Sequence, residues 1–148
     1  MREETWHAAL STPRGEEALL RRNAIMERFG LSLTREACAR LLERRARVLR
    51  ETERVEVGEG ILPPLAAALC DSPYAHPASW EETLGELMEQ FYFFKGACGE
   101  RLSDDELLAA MVRLFNGYAG GSTERLADLD GQALLRFARG EAGWDDAL

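Results

Sequence analysis

Lysine is nearly missing from this sequence: of its 18 basic residues, 17 are arginine and only Lys95 is lysine. With abundant alanine and glycine alongside, that bias fits the codon usage of a GC-rich genome better than it fits seventeen individually selected guanidinium sites. Long apolar runs are missing too. The longest, Leu65 to Cys70, is mostly alanine and far shorter than the ~20 residues a helix needs to cross a bilayer. The opening residues, Met1-Arg2-Glu3-Glu4-Thr5-Trp6, lack the apolar core of a signal peptide. There are three cysteines, Cys38, Cys70 and Cys98, widely spaced and without a CxxC. An odd, scattered set makes neither a disulfide framework nor a zinc cluster and fits a reducing compartment. These shortages point to a cytosolic protein that needs neither metal nor cofactor to fold.

What is present suits one packed domain. The 148 residues are 46% hydrophobic and 30% charged, which separates them from a disordered chain. The net charge is −8, and it is unevenly laid out. Residues 1–54 carry twelve arginines against nine acids, a net of +3; residues 55–148 carry six basic residues against seventeen acids, a net of −11. Broad binding to nucleic acid or to an acidic membrane needs a positive field, so neither is expected.

The periodicity predicts an all-α, single-domain bundle of about six helices, with irregular connectors at 54–62 and 70–78. Residues 1–12 read as a loose arm that Trp6 and Leu10 can dock, 13–139 as the helical domain, and 140–148 as a tail in which Trp144 can dock. A first helix opens near Pro13, carries Leu19, Met26 and Phe29 on one face with Asn23 between them, and stops at Gly30. A second, capped by Thr34, runs to about Glu53 with Cys38, Leu41, Leu42, Val48 and Leu49 as its apolar face. Pro63-Pro64 opens a short third helix. Ser79 with Glu82, and Ser103 with Glu106, have capping-box spacing ahead of two strongly apolar stripes. Ser122 and Asp130 cap short final helices.

Arg45 is the most informative residue, because it points along the middle of that apolar face. A buried guanidinium is costly without an anion. Two readings follow: Arg45 is paired inside the fold, with Glu56, Glu59 or Asp71 as mates, or it holds an anionic ligand in a cleft. The ligand reading gathers Arg45, Glu56, Glu59, Asp71 and Tyr74. On the opposite face of the same helix Arg40, Arg44, Arg47, Arg50 and Arg54 form a basic stripe. Glu36, Glu43 and Glu51 interrupt it, as on a solvated, salt-bridged face, and no aromatic residues interleave to stack on bases. Gly58-Glu59-Gly60 lacks phosphate-loop spacing and reads as turn geometry.

Cys70-Asp71-Ser72-Pro73-Tyr74, with His76, is the densest set of reactive side-chain types, but a buried helix-end cysteine, an Asp–Ser–Pro turn and a tyrosine at the core edge explain it better than a thiol nucleophile does. Phe91-Tyr92-Phe93-Phe94 covers nearly the whole circumference of its helix. Such a helix is central to the bundle or committed to a partner, and Tyr92 and Phe93 are the interface candidates. Asp104-Asp105-Glu106 and Glu81-Glu82 lie in first helical turns, where acids favour the helix dipole.

Several pieces together resemble an uncharacterised bacterial family seen mainly in clostridia. They are Phe29-Gly30-Leu31-Ser32-Leu33-Thr34, Arg54-Val55-Glu56-Val57-Gly58-Glu59-Gly60-Ile61 and Cys70-Asp71-Ser72-Pro73-Tyr74. Phe91-Tyr92 with Lys95, Asp104-Asp105-Glu106-Leu107 and Gly121-Ser122 also match. The resemblance spans about two-thirds of the chain, from Ile25 to Leu126. It implies a bacterial, helical domain of unknown function and carries no catalytic residues. The favoured expectation is therefore a non-enzymatic protein that acts through a protein partner or self-association. The alternative is a small-molecule or anion binder around Arg45 and the 56–59 and 70–74 segments.

Overall fold

The computed structural model describes residues 13–56 and 58–141; the expected arm 1–12, nearly all of the expected tail with Trp144, and Val57 lie outside the described residues. The described residues contain helices and no strand, so the all-α expectation holds. Contacts group the chain into two compact units. The first runs to Asp71 and adds Ala75–Glu89; the second takes Ser72–Tyr74 and everything from Gln90. No helix among the described residues is long and apolar enough to cross a membrane.

The first unit begins with α1 (Pro13–Arg21), α2 (Asn23–Met26) and a 3-10 turn, Glu27–Phe29, where one helix to Gly30 was expected. Asn23 accounts for the break. Its amide donates to the Leu33 carbonyl (2.9 Å) and its Oδ1 accepts from the Leu33 N–H (2.8 Å), which commits it to the segment ahead of the next helix. Gly30 is the left-handed stop (φ 70°). Leu19 and Met26 are buried as read, but Phe29 is 47% exposed. The tighter winding of a 3-10 turn rotates it off the α-helical face.

Helix α3 (Arg35–Glu51) starts where the sequence put it, with Thr34 Oγ1 accepting from the Ala37 N–H (3.0 Å). Its expected apolar face is buried throughout, and Arg45 is buried within it. Helix α4 spans Leu62–Leu69. Helix α5 (Trp80–Ala97) does not open with the Ser79–Glu82 capping box. A 3-10 turn, Pro77–Ser79, precedes it; the Ser79 N–H goes to the His76 carbonyl (3.1 Å), and Glu82 turns to Arg44 instead. Gly85 inside α5 would ordinarily weaken a helix. Here the Arg44 guanidinium lies across it, where a Cβ would collide, on its way to Glu89 and Glu82.

The second unit contains the end of α5, then α6 (Asp104–Asn116), α7 (Thr123–Ala127) and α8 (Gly131–Ala138). The Ser103–Glu106 capping box forms in full, at 3.1 and 2.9 Å. Ser122 and Asp130 cap α7 and α8 as read. Lys95 Nζ donates to the Leu102 carbonyl (2.6 Å) and pairs with Asp104 (2.8 Å), tying the end of α5 to the start of α6. The Tyr74 ring lies on Gly121, whose φ of +84° and lack of a Cβ make room for it. Phe91, Tyr92 and Phe94 are buried, whereas Phe93 is not.

Candidate functional site

Arg45 lies in the core at 2% exposure, and its Nε donates to Glu56 Oε1 at 2.6 Å. Of the mates read from sequence, Glu56 is the one shown on Arg45. Glu59 pairs with Arg21 (3.1 Å) and Arg22 (3.5 Å) on the preceding helical segment. The connector therefore reaches back to three arginines. Gly60 completes the arrangement at φ +76°: a Cβ there would stand 2.5 Å from Glu56 Oε1 and 2.8 Å from Arg45 Nη2. Only glycine lets the backbone close this tightly on the pair. Sequence reasoning treated Gly60 as a turn residue and missed this role, which spacing does not reveal.

Asp71 and Tyr74 do not join that arrangement. Asp71 is exposed and makes no side-chain hydrogen bond or ion pair among the described residues. Tyr74 belongs to the second unit, where its ring packs edge-on to Phe115 (centroids 6.3 Å apart). Ser72 Oγ beside it donates to Asn116 (2.5 Å) and accepts from the Tyr74 N–H (3.2 Å). The 72–74 part of the second connector thus packs as structure rather than presenting a set of free polar groups.

The thiols are poor nucleophiles. Cys70 is buried, its Sγ donates to the Ala67 carbonyl (3.4 Å), and burial followed by the Asp71 charge pushes its pKa up. Burial first, and then Glu16, push Cys38 up to about 11. Burial also raises Cys98. Among the described residues no group of three or more His, Cys, Asp or Glu side chains is placed to hold a metal.

Part of the basic stripe is engaged by acids. Arg40 forms two bonds to Glu81 (2.8 and 2.7 Å), and Arg44 meets Glu89 and Glu82. The Arg40 hydrogen bonds hold the Glu81 carboxyl below its usual range. Beside this pair a cleft of about 260 Å³ opens at the start of α3, with Leu31, Leu33, Pro77 and Trp80 among its lining residues. Its two walls come from residues 30–40 and 77–81, so no local motif announces it.

Of the aromatic run, Tyr92 is 4% exposed and Phe93 61%. As an interface candidate Tyr92 is thus withdrawn into the core, where it meets Phe91 edge-on (5.3 Å), and Phe93 is left at the surface. The alternation follows from helical geometry: successive positions turn by about 100°, so one of four consecutive residues must face away from a one-sided core.

The model of a family described as "Family of unknown function (DUF6323)" matches residues 18–142. No curated protein and no solved structure matches the chain.

Proposed function

We propose that this chain, which belongs to the family of unknown function DUF6323, works by binding another protein rather than by catalysis. The observation that carries the reading is Phe93: 61% exposed on an 18-residue helix whose neighbouring aromatics are buried. Aromatic side chains on rigid elements are the usual energetic anchors of protein interfaces. The buried, raised thiols support the same view, since none of the three cysteines is an activated nucleophile. Residues 90–148, which carry Phe93, hold ten acids against six basic residues, so the partner that suits this region has a positive rim. A second copy would bring the same acidic surface. The test is a photo-crosslinking amino acid at position 93 in cells producing the protein, with exposed Ala109 as the control position. The expected result is one defined adduct with a different, basic protein, absent from the control and lost at high salt. A crosslink only to a second copy, or none above the control, overturns the reading.

One observation favours a second reading, a small-anion binder centred on Arg45. The carboxylate that answers this buried guanidinium sits on an irregular connector rather than on a packed helix. Glu56 and Glu59 remain part of that reading, whereas Asp71 and Tyr74 have no observed contact that recommends them.

A further inference from the structure

Ahead of α3 the chain runs extended from Leu31 to Thr34. Leu31 and Leu33 are buried and Ser32 between them is exposed, the alternation of a β-strand. One edge of this segment is already answered. The Leu31 N–H donates to the Met26 carbonyl (3.0 Å), and Asn23 meets both polar groups of the Leu33 main chain, at 2.8 and 2.9 Å. Asn23 thus does with its side chain what a paired strand does with its backbone. Successive residues of an extended chain turn their N–H and C=O to opposite edges, so those of Ser32 point the other way. Among the described residues no hydrogen bond meets either group.

Ser32 also lines the cleft of about 260 Å³. The polar side chains there are mostly committed: Trp80 donates its indole N–H to Met26 Sδ (3.3 Å), Thr34 Oγ1 caps α3, and Arg40 and Glu81 hold each other. What remains is an apolar hollow beside an open main-chain donor and acceptor. Sites that enclose a drug-sized molecule run to roughly 300–1,000 Å³, so this smaller hollow suits a side chain better than a cofactor. At its rim Arg40 and Arg44 stand against Glu36, Glu81, Glu82 and Glu89, which leaves the network negative.

We propose that this cleft docks an extended segment of a partner protein, which pairs its main chain with the open edge at Ser32, seats an apolar side chain against Leu33, Pro77 and Trp80, and turns a basic residue toward the acidic rim. The site lies within the first unit and does not depend on Phe93. Its occupant has to supply an acceptor and a donor at the spacing of one residue's N–H and C=O. Another extended main chain does so, as in strand addition to a sheet edge, whereas a small anion answers the N–H alone. The excess of carboxylates at the rim selects the basic neighbour.

The experiment is a selection from a displayed library of random heptapeptides on the full chain, followed by affinity measurements on the enriched sequences as capped synthetic peptides. Those sequences are expected to combine a large apolar residue with a basic one close by. Ser32→Pro removes an N–H that no internal bond uses, and is expected to weaken binding about tenfold by leaving a peptide carbonyl unmet. Ser32→Ala keeps that main-chain donor and is expected to bind like the wild type. In amide NMR spectra the Ser32 signal should shift on titration with the same peptide, and its exchange with solvent should slow. If Ser32→Pro fails to fold, N-methylation of the peptide at each position in turn tests the same pairing from the other side, with loss expected at the position facing Ser32. An unenriched library, peptides that Ser32→Pro binds as well as the wild type does, or N-methylation without effect overturns the proposal. So does a Ser32→Ala variant that loses as much as Ser32→Pro, since the hydroxyl would then be the contact. Enriched peptides that reproduce a segment of this chain would make its own arm or a second copy the occupant, and overturn the partner.

Discussion

The two units use arginine in different ways. In the first, arginines between positions 21 and 45 bond to carboxylates far along the chain: Arg40 to Glu81, Arg44 to Glu82 and Glu89, Arg45 to Glu56, and Arg21 and Arg22 to Glu59. In the second, Arg113 lies 4.7 Å above the Phe137 ring and Arg125 lies 4.9 Å above Tyr118. Its helices are started by side-chain caps. The difference explains the lopsided charge of the sequence. Residues 55–89 hold seven acids and no lysine or arginine, and five of those acids meet arginines of the N-terminal third. Much of the segregated charge is a device for joining distant segments within the first unit, and only the remainder is left for partners.

The sharpest test of this contrast removes one arginine from each unit. Arg45→Met leaves Glu56 facing an apolar side chain and is expected to cost about 3 kcal/mol, the loss typical of breaking a buried pair from one side. Arg113→Met removes a cation from an aromatic face and should cost only about 0.5–1 kcal/mol. Urea unfolding of the two variants checks both values, and equal losses would erase the distinction.

A smaller effect is expected from acid. Arg40 holds the folded-state pKa of Glu81 below its unfolded value, so this pair's stabilisation is present above the ordinary carboxylate range and is lost as pH falls through the folded value. Glu106 is also lowered, chiefly by the Ser103 backbone N–H, and its contribution fades in the same direction. Glu81→Gln should therefore flatten the fall in stability from about pH 5 downward, and Glu106→Gln should flatten it less, since glutamine still accepts the capping bond. Unfolding midpoints across a pH series measure both slopes. A wild-type profile that neither variant changes would remove these carboxylates from the account.

The smallest change is expected to be a gain in both units. Among the described residues, Glu53 (φ 55°) and Glu100 (φ 62°) are the non-glycine residues in left-handed geometry, each just past the end of a long helix. Glycine suits that position, and Glu53→Gly or Glu100→Gly should stabilise by about 0.5–1 kcal/mol. Thermal unfolding decides the sign; destabilisation at either position would show that the glutamate side chain outweighs the backbone strain there.

Much of the helical framework was legible because its signals are local. Thr34, Ser103, Ser122 and Asp130 satisfy amides three residues away, so spacing alone reveals them. The buried face of α3 follows from helical period, and with it the anomaly of Arg45. The Ser79–Glu82 box had the right spacing and did not form, because a proline-led 3-10 turn and the pull of Arg44 claimed both residues. Phe29 likewise left the apolar face when the helix tightened.

By itself, then, the sequence determined an acidic all-α chain, its helix starts, and one arginine that had to find an anion. Only tertiary structure decided which acid answers that arginine, that Gly60 closes on the pair, that Tyr92 faces inward and Phe93 outward, and that a cleft joins residues 30–40 to 77–81. The physical reason is distance along the chain. Caps and helical faces are set within a few residues, whereas charge pairing and close backbone approach depend on which remote segments the packed core brings together.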